Sequence, residues 1–502
     1  MRALHPVLAL SWGLAMGLPS AALGSDGLPD LRCEAQGGDP WTEYRSKHFL
    51  VATDAPPGRA ATLVKDLEEL FALEQQALLG GPADIPGRLR VIAPSSERLF
   101  RTLTGSDTVA GYFKPGLLGE PLIVLSISRQ RASPEVVAHE LAHYLSWHLF
   151  PRQPRWFAEG LATFAQTVAS SQGEAVAPTG SHIKRGEAGH GHAAGRAPGA
   201  LLAEVDWVKP VGGKELLEWR SEDEDSPSRY HVWSWLLYHW LWNQRSRPFS
   251  AFQERLAAAE DPATAWRATF PEFDPENPQA MATLTATLDD YRKNGRYLYV
   301  RVEATSEPGF TSAPLSSAEV HLRLLEARRH MDGKLARPEL AEALREDPAH
   351  PWAIALLAKL DGTPTLEPLR ASVRARPGDW RGWLLLGRTL AGDDARAERE
   401  AAFRKAVALA PESAAAQGAM SGELLARGLA KEALPFANRA VDLAPGSPHA
   451  IGILALVAAE LGKCAEAVQL QRRAAALATG EEKGRWFTEV EARCARASPG
   501  AR

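Results

Sequence analysis

The sequence predicts an α+β domain followed by an all-α array of repeats, on three observations. First, "SKHFLVATD", "RLRVIAP" (88–94) and "PLIVLSIS" (121–128) are short runs rich in β-branched and apolar residues, as strands are. Second, "RAATLVKDLEELFALEQQALLG" sets Leu63, Leu67, Leu70, Phe71 and Leu78 at helical spacing, and from Pro134 to about residue 297 the pattern is again mainly helical. Third, the C-terminal third repeats itself every 34 residues, at Ala406, Ala440 and Ala474, at Leu409, Leu443 and Leu477, and at Pro377, Pro411 and Pro445. The order strand, helix, strand, strand, helix gives an α+β layering, and 502 residues exceed what a single core sustains.

The expected division is a domain over 25–300, a linker over 301–314 and helical repeats over 315–496. About four repeat units fit between 315 and 480, with Gly428 and Gly462 at equivalent turns and a last helix, 481–496, as cap. The 34-residue register, with small residues where helices cross, resembles tetratricopeptide repeats (TPR), although Leu and Ala fill most of the usual large aromatic positions. That resemblance implies a TPR-like solenoid whose groove takes a protein partner or recruits a substrate.

The first 24 residues carry Arg2, an apolar stretch from Val7 to Leu18 and small residues before Ser25, the order of a secretory signal peptide. The expected protein is therefore exported, periplasmic or extracellular, with no stable membrane span once the signal is removed. A net charge of −4 gives no reason to attract nucleic acid, and 45% hydrophobic with 24% charged residues is a globular composition. Three cysteines do not make a disulfide-built fold. Cys464 and Cys494 flank a turn near Thr479-Gly480 about symmetrically, which allows either an optional disulfide or two small residues packed between helices. The stretch 170–199, with "GSHIKRGEAGHGHAAGRAPG", reads as a mobile loop, and its His182, His190 and His192 lack the spacing of a closed metal site.

The chemistry gathers at "ASPEVVAHELAHYLSWHLF". His139 and His143 stand one helical turn apart on one face, so their imidazoles can share a tetrahedral ion, while Glu140 points about 100° away, placed to take a proton from water rather than to coordinate. Val136, Val137, Leu141 and Leu145 make the helix a buried one, where His and Glu without partners are costly. A third ligand follows in "PRQPRWFAEGLATFAQ": Pro151 and Pro154 end the first helix, the chain reverses, and Glu159 lies on a second helix. Gly160, Ala158 and Ala162 are expected to let that helix approach the first closely.

H-E-x-x-H followed by W-x-x-E-G-x-A-x-F resembles the signature of gluzincin zinc metallopeptidases. The span from about 40 to 297, with "YRSKHFLVATD", "LIVLSIS" and "YHVWSWLLYHWLW", looks like the peptidase-MA-like family among them. The resemblance implies a zincin-like α+β metallopeptidase domain binding Zn2+ through His139, His143 and Glu159. Glu140 would be the general base and a protein or peptide the substrate. It also implies an oxyanion-supporting side chain at the head of a later helix, where Tyr230 is the first choice and His231 the second. Thr163 departs from the pattern: relatives often have an acidic residue there to orient a histidine, which leaves open what fixes the histidine tautomer here. An extended substrate is expected to lie against the strand Leu122 to Ile127. Two other readings stay open, a non-catalytic interaction scaffold and a zinc hydrolase acting on a non-peptide bond.

Overall fold

The computed structural model describes residues 38–106, 109–115, 120–127, 133–169, 192–195, 210–220, 227–295, 297–303, 309–329, 333–478 and 489–495. The expected signal peptide and most of the expected 170–199 loop, His182 and His190 included, lie outside them.

The chain opens with β1 (Thr42–Arg45), β2 (Phe49–Thr53), α1 (Pro57–Leu79), β3 (Leu89–Ala93), α2 (Glu97–Thr104), β4 (Gly111–Pro115) and β5 (Pro121–Leu125). Ser96 starts α2 by accepting a hydrogen bond from Leu99 N–H, and Gly105, at φ 67°, ends it. With β8 (Thr311–Pro314) these strands form one six-stranded sheet in the order β4-β5-β3-β2-β1-β8. β2, β3 and β5 run parallel, while β4, β1 and β8 run antiparallel to their neighbours.

Alternation along the central strands builds two cores. Phe49, Val51, Leu89, Val91, Ile123 and Leu125 point to one face, against α1 and the helices of the site. Ala52, Ile92, Leu122 and Val124 point to the other, against Phe100 and Leu103 of α2 and Val320, Leu324 and Ala327 of the first repeat helix. Covered on both faces, the central strands are apolar apart from Arg90 and Thr53.

Two expectations change here. The segment 301–314 is no linker, because its residues 311–314 are β8, paired with β1 from Thr42↔Pro314 to Arg45↔Thr311. The strand beginning at Leu122, against which a substrate was expected to lie, is not an edge. β4 pairs along it, from Gly111↔Leu125 to Pro115↔Pro121, so β5 has both sides occupied and β4 is the outer strand on this side of the sheet among the described residues.

The middle of the chain is helical: α3 (Pro134–Leu149), α4 (Arg155–Ala165), α5 (Gly213–Leu217), α6 (Pro227–Gln244), α7 (Ser246–Ala257), α8 (Pro262–Thr269) and α9 (Pro278–Asn294). β6 (His192–Ala194), within the expected loop, pairs with β7 (Val300–Val302). His192 is held there by Val168 O, 2.6 Å from its Nδ1. Buried His239 of α6 ties these parts together, with Tyr291 Oη 2.9 Å from Nδ1 and the carbonyls of Gly195 and Leu298 at 3.0 and 2.9 Å from Nε2.

The repeats form five antiparallel helix pairs among the described residues: α10 (Ser317–Ala327) with α11 (Gly333–Glu346), α12 (Pro351–Asp361) with α13 (Leu366–Ala375), α14 (Trp380–Thr389) with α15 (Arg396–Leu409), α16 (Ala414–Ala426) with α17 (Ala430–Leu443), and α18 (Pro448–Glu460) with α19 (Cys464–Leu477). The repeated residues explain the pairing. Ala406, Ala440 and Ala474 are buried where helices cross, and Gly428 and Gly462 take positive φ at equivalent turns. Two residues after each repeated proline stands an N-cap, Asp379, Ser413 or Ser447, accepting from a backbone N–H of the next helix. A disulfide joins Cys464 to Cys494, Cα to Cα 5.6 Å, fastening the helical segment 489–495 to the last pair; the rest of the expected cap lies outside the described residues.

The array is docked on the sheet. Arg90 of β3 makes a two-pronged bond to Glu326, 2.7 Å on one prong, and Lys114 Nζ donates to the carbonyls of Glu326 and Arg328 at 2.9 and 2.7 Å. Further along, Arg88 pairs with Glu412 at 2.7 Å and Gly446 lies against the Trp147 indole. A cavity of about 440 Å³ remains between the two, walled by paired Arg and Glu side chains with Trp352 and Trp380. No helix among the described residues is long and apolar enough to cross a membrane.

Candidate metal centre

Three helices build the site. Pro134 opens α3, where its missing N–H costs nothing, and Pro154 caps α4 after a turn through Pro151. α4 packs beside α3, and α6 closes the layer behind it. Gly160 faces α6 rather than α3. A Cβ there would lie 2.5 Å from Ser234 O and 2.8 Å from Tyr238 Cβ, so the missing side chain sets the α4–α6 approach. Gly160→Ala is accordingly expected to destabilise by about 1–3 kcal/mol, because the obstacle is backbone and cannot rotate away. Thermal unfolding of the variant measures this, and an unchanged melting temperature contradicts it.

His139, His143 and Glu159 converge. Their Nε2, Nε2 and Oε2 atoms stand 3.2 Å (His to His), 3.4 Å and 3.4 Å apart. They are the one group of three His, Cys, Asp or Glu among the described residues with the closeness a metal ion needs, all ligand atoms lying within 4.8 Å. Each side chain is 13–19% exposed, so the centre is partly accessible to solvent.

The electrostatics follow from that crowding. Burial works against a charged His139, yet the hydrogen bond to Glu159 and the charges of Glu140 and Glu159 override it and raise its pKa to about 8. Glu159 is desolvated too, but the charge of His143 and hydrogen bonds from His139, His143 and His231 hold its carboxyl well below the usual range. Glu140, by contrast, is pushed up by burial, a shift that nearby His139 and His143 only partly offset. It accepts a hydrogen bond from the backbone N–H of Phe113 on β4. β4 lies directly on this helix, since a Cβ at Gly111 would meet Val136 at 2.8 Å and Glu140 Cγ at 3.3 Å.

Of the two candidates at the head of α6, the structure brings His231 to the centre and not Tyr230. His231 Nε2 is 3.2 Å from Glu159 Oε2. It reaches that oxygen while standing outside the three-ligand group. The Tyr230 hydroxyl is engaged by Glu215 Oε1 at 2.7 Å and its ring stacks on Trp219. Successive helix residues point about 100° apart, so one of the two had to turn away, and the Trp219 platform takes Tyr230.

Sequence reasoning also missed Gln166, which follows α4 and faces His139 Nδ1 at 3.0 Å through Oε1. Its signal was available: seven residues after Glu159, it returns to nearly the same helix face.

No family model and no curated protein matches the chain. TPR proteins are among the similar solved structures. They include one from Thermus thermophilus (18% identity, 36% of this chain and 96% of that one, TM-score 0.26) and PilF of Pseudomonas aeruginosa (17%, 36% and 87%, 0.27). A third is YrrB, described as a TPR protein with an unusual peptide-binding site (16%, 32% and 93%, 0.23). The repeat architecture of this chain rests on its own helix pairs.

Proposed function

We propose that this chain is an exported, periplasmic or extracellular, zinc-dependent hydrolase of peptide bonds, carried on a helical array that recruits substrate or a protein partner. The observation that carries the reading is the spacing of three donor atoms. Ligands about 2.0–2.1 Å from a tetrahedral zinc lie about 3.3–3.4 Å from one another, and the distances here are 3.2, 3.4 and 3.4 Å. Two imidazoles and a carboxylate are a donor set zinc accepts, and they fit. Zinc held by His139, His143 and Glu159 supplies Lewis-acid polarisation of a carbonyl and of a water molecule.

The chain's own groups do the rest. Glu140, beside the ligands with a raised pKa, receives the proton of the attacking water and passes it to the leaving amine. His231 Nε2 donates a hydrogen bond to the carbonyl oxygen as negative charge develops there. The outer side of β4 pairs with an extended peptide, aligning its main chain beside Glu140.

A second reading is favoured by the array and by the TPR proteins among similar structures: an interaction scaffold without catalysis, the centre being structural. Hydrolysis of a non-peptide bond is a third, since the ligands do not select the electrophile. Metal analysis of purified full-length protein, with a peptide and ester library, separates them. One zinc per chain and peptide cleavage that stops on chelation and returns with added zinc is the expected result. Bound zinc without turnover of any library member supports the scaffold.

A further inference from the structure

We propose that Gln166 is a positioning residue that fixes the tautomer of His139 and thereby sets the zinc affinity of the centre. The proposal rests on the zinc reading above. A neutral imidazole carries one proton, and the nitrogen that keeps it cannot bind a metal. Gln166 Oε1, 3.0 Å from His139 Nδ1, only accepts, so once the ring is neutral the proton stays on Nδ1 and Nε2, which faces Glu159 and His143, carries the lone pair. The opposite pairing would put the proton on Nε2, where a cation belongs.

The glutamine is held in place by the backbone that carries it. After Ala165 the helix tightens into a 3-10 turn, Gln166–Ala169. β6 and the residue after it pin that turn. Gly195 N–H donates to Thr167 Oγ1 at 2.9 Å and to Phe164 O at 3.1 Å, and His192 Nδ1 meets Val168 O at 2.6 Å. Thr167 Oγ1 itself donates to Phe164 O at 2.8 Å, and Val168 is fully buried. Contacts at Phe164, Thr167 and Val168, on both sides of Gln166, fix where its side chain starts, so little rotamer freedom is left to lose when it meets His139.

The arrangement also answers the departure at Thr163. An acid one turn after Glu159 would reach the histidine with a short arm and a negative charge. Gln166 comes from three residues further on with a longer, neutral arm. The centre already holds Glu159 and Glu140, and Gln166 orients His139 with a neutral acceptor.

The test measures zinc affinity by competition with a chromogenic chelator, on full-length protein stripped of metal. Gln166→Leu and Gln166→Met remove the acceptor at similar volume, and Gln166→Glu keeps an oxygen at the same reach. Both apolar variants are expected to bind zinc about 10- to 100-fold more weakly than wild type, while Gln166→Glu binds at least as tightly. Melting of the metal-free proteins reports folding independently, and Met serves if the Leu variant is misfolded. Apolar variants that bind zinc like the wild type, or a Glu variant that loses affinity as they do, overturn the proposal. Wild-type protein that takes up no zinc overturns the metal reading and this inference together. Zinc uptake without hydrolysis leaves the affinity series decisive for Gln166 and counts only against the enzyme.

Discussion

Glu140→Gln is expected to lower turnover about 10²- to 10⁴-fold while zinc stays bound. The substitution keeps size and shape and removes only the ability to take a proton. His139, His143 and Glu159 hold their mutual 3.2–3.4 Å spacing without help from Glu140, so the ligand set survives. The amide can still meet Phe113 N–H through its oxygen, which keeps β4 seated on α3. Loss of the base and loss of the fold therefore separate in one experiment, zinc content and melting temperature beside steady-state rate. A variant as active as wild type removes Glu140 from the chemistry, and with it the main reason for preferring an enzyme to a scaffold.

His231→Phe is the second large effect, a fall in kcat of about 10²- to 10³-fold with KM changed little, because its hydrogen bond matters only once charge develops on the substrate oxygen. Phenylalanine keeps a ring against Trp219, which His231 meets edge-on at 5.6 Å, so local packing is preserved. Tyr230→Phe is the control. Its hydroxyl is turned to Glu215, and removing it is expected to leave the rate close to wild type. Steady-state kinetics of the pair decide the assignment, and a reversed ranking returns the role to Tyr230.

The parts of the centre legible in the sequence are those that helical geometry dictates. His139 and His143 share a face because they are four residues apart, and the proline-bounded reversal brings Glu159 to them. What escaped was decided by neighbours distant in the chain. Whether Tyr230 or His231 faces inward depends on which ring Trp219 stacks with, and Gly160 gave no hint of whether it served α3 or α6.

The same holds for the fold. The 34-residue period revealed the array because each glycine turn and N-cap is local. β4 escaped because "GYFKP" is bounded by glycine and proline and alternates poorly, and β8 because "TSAP" has almost no apolar signal and is exposed along its length. α10 reads as an ordinary repeat helix, yet two stripes of it are buried. Leu322 and Leu325 meet the next helices and Val320 and Leu324 meet the sheet, and periodicity alone does not say which partner a stripe will find.

β8 also imposes an order on how the molecule can be completed. β1 closes against residues 311–314, so the pair joins parts of the chain lying more than half its length apart. As the polypeptide emerges from a ribosome, β1 through β5 and the whole metal centre are synthesised first, and one side of β1 remains an unpaired row of N–H and C=O groups. Contacts so distant along the chain are slow to form. The sheet beneath the three converging side chains thus reaches its full width only once residues 311–314, which directly precede the first repeat helix, have been made.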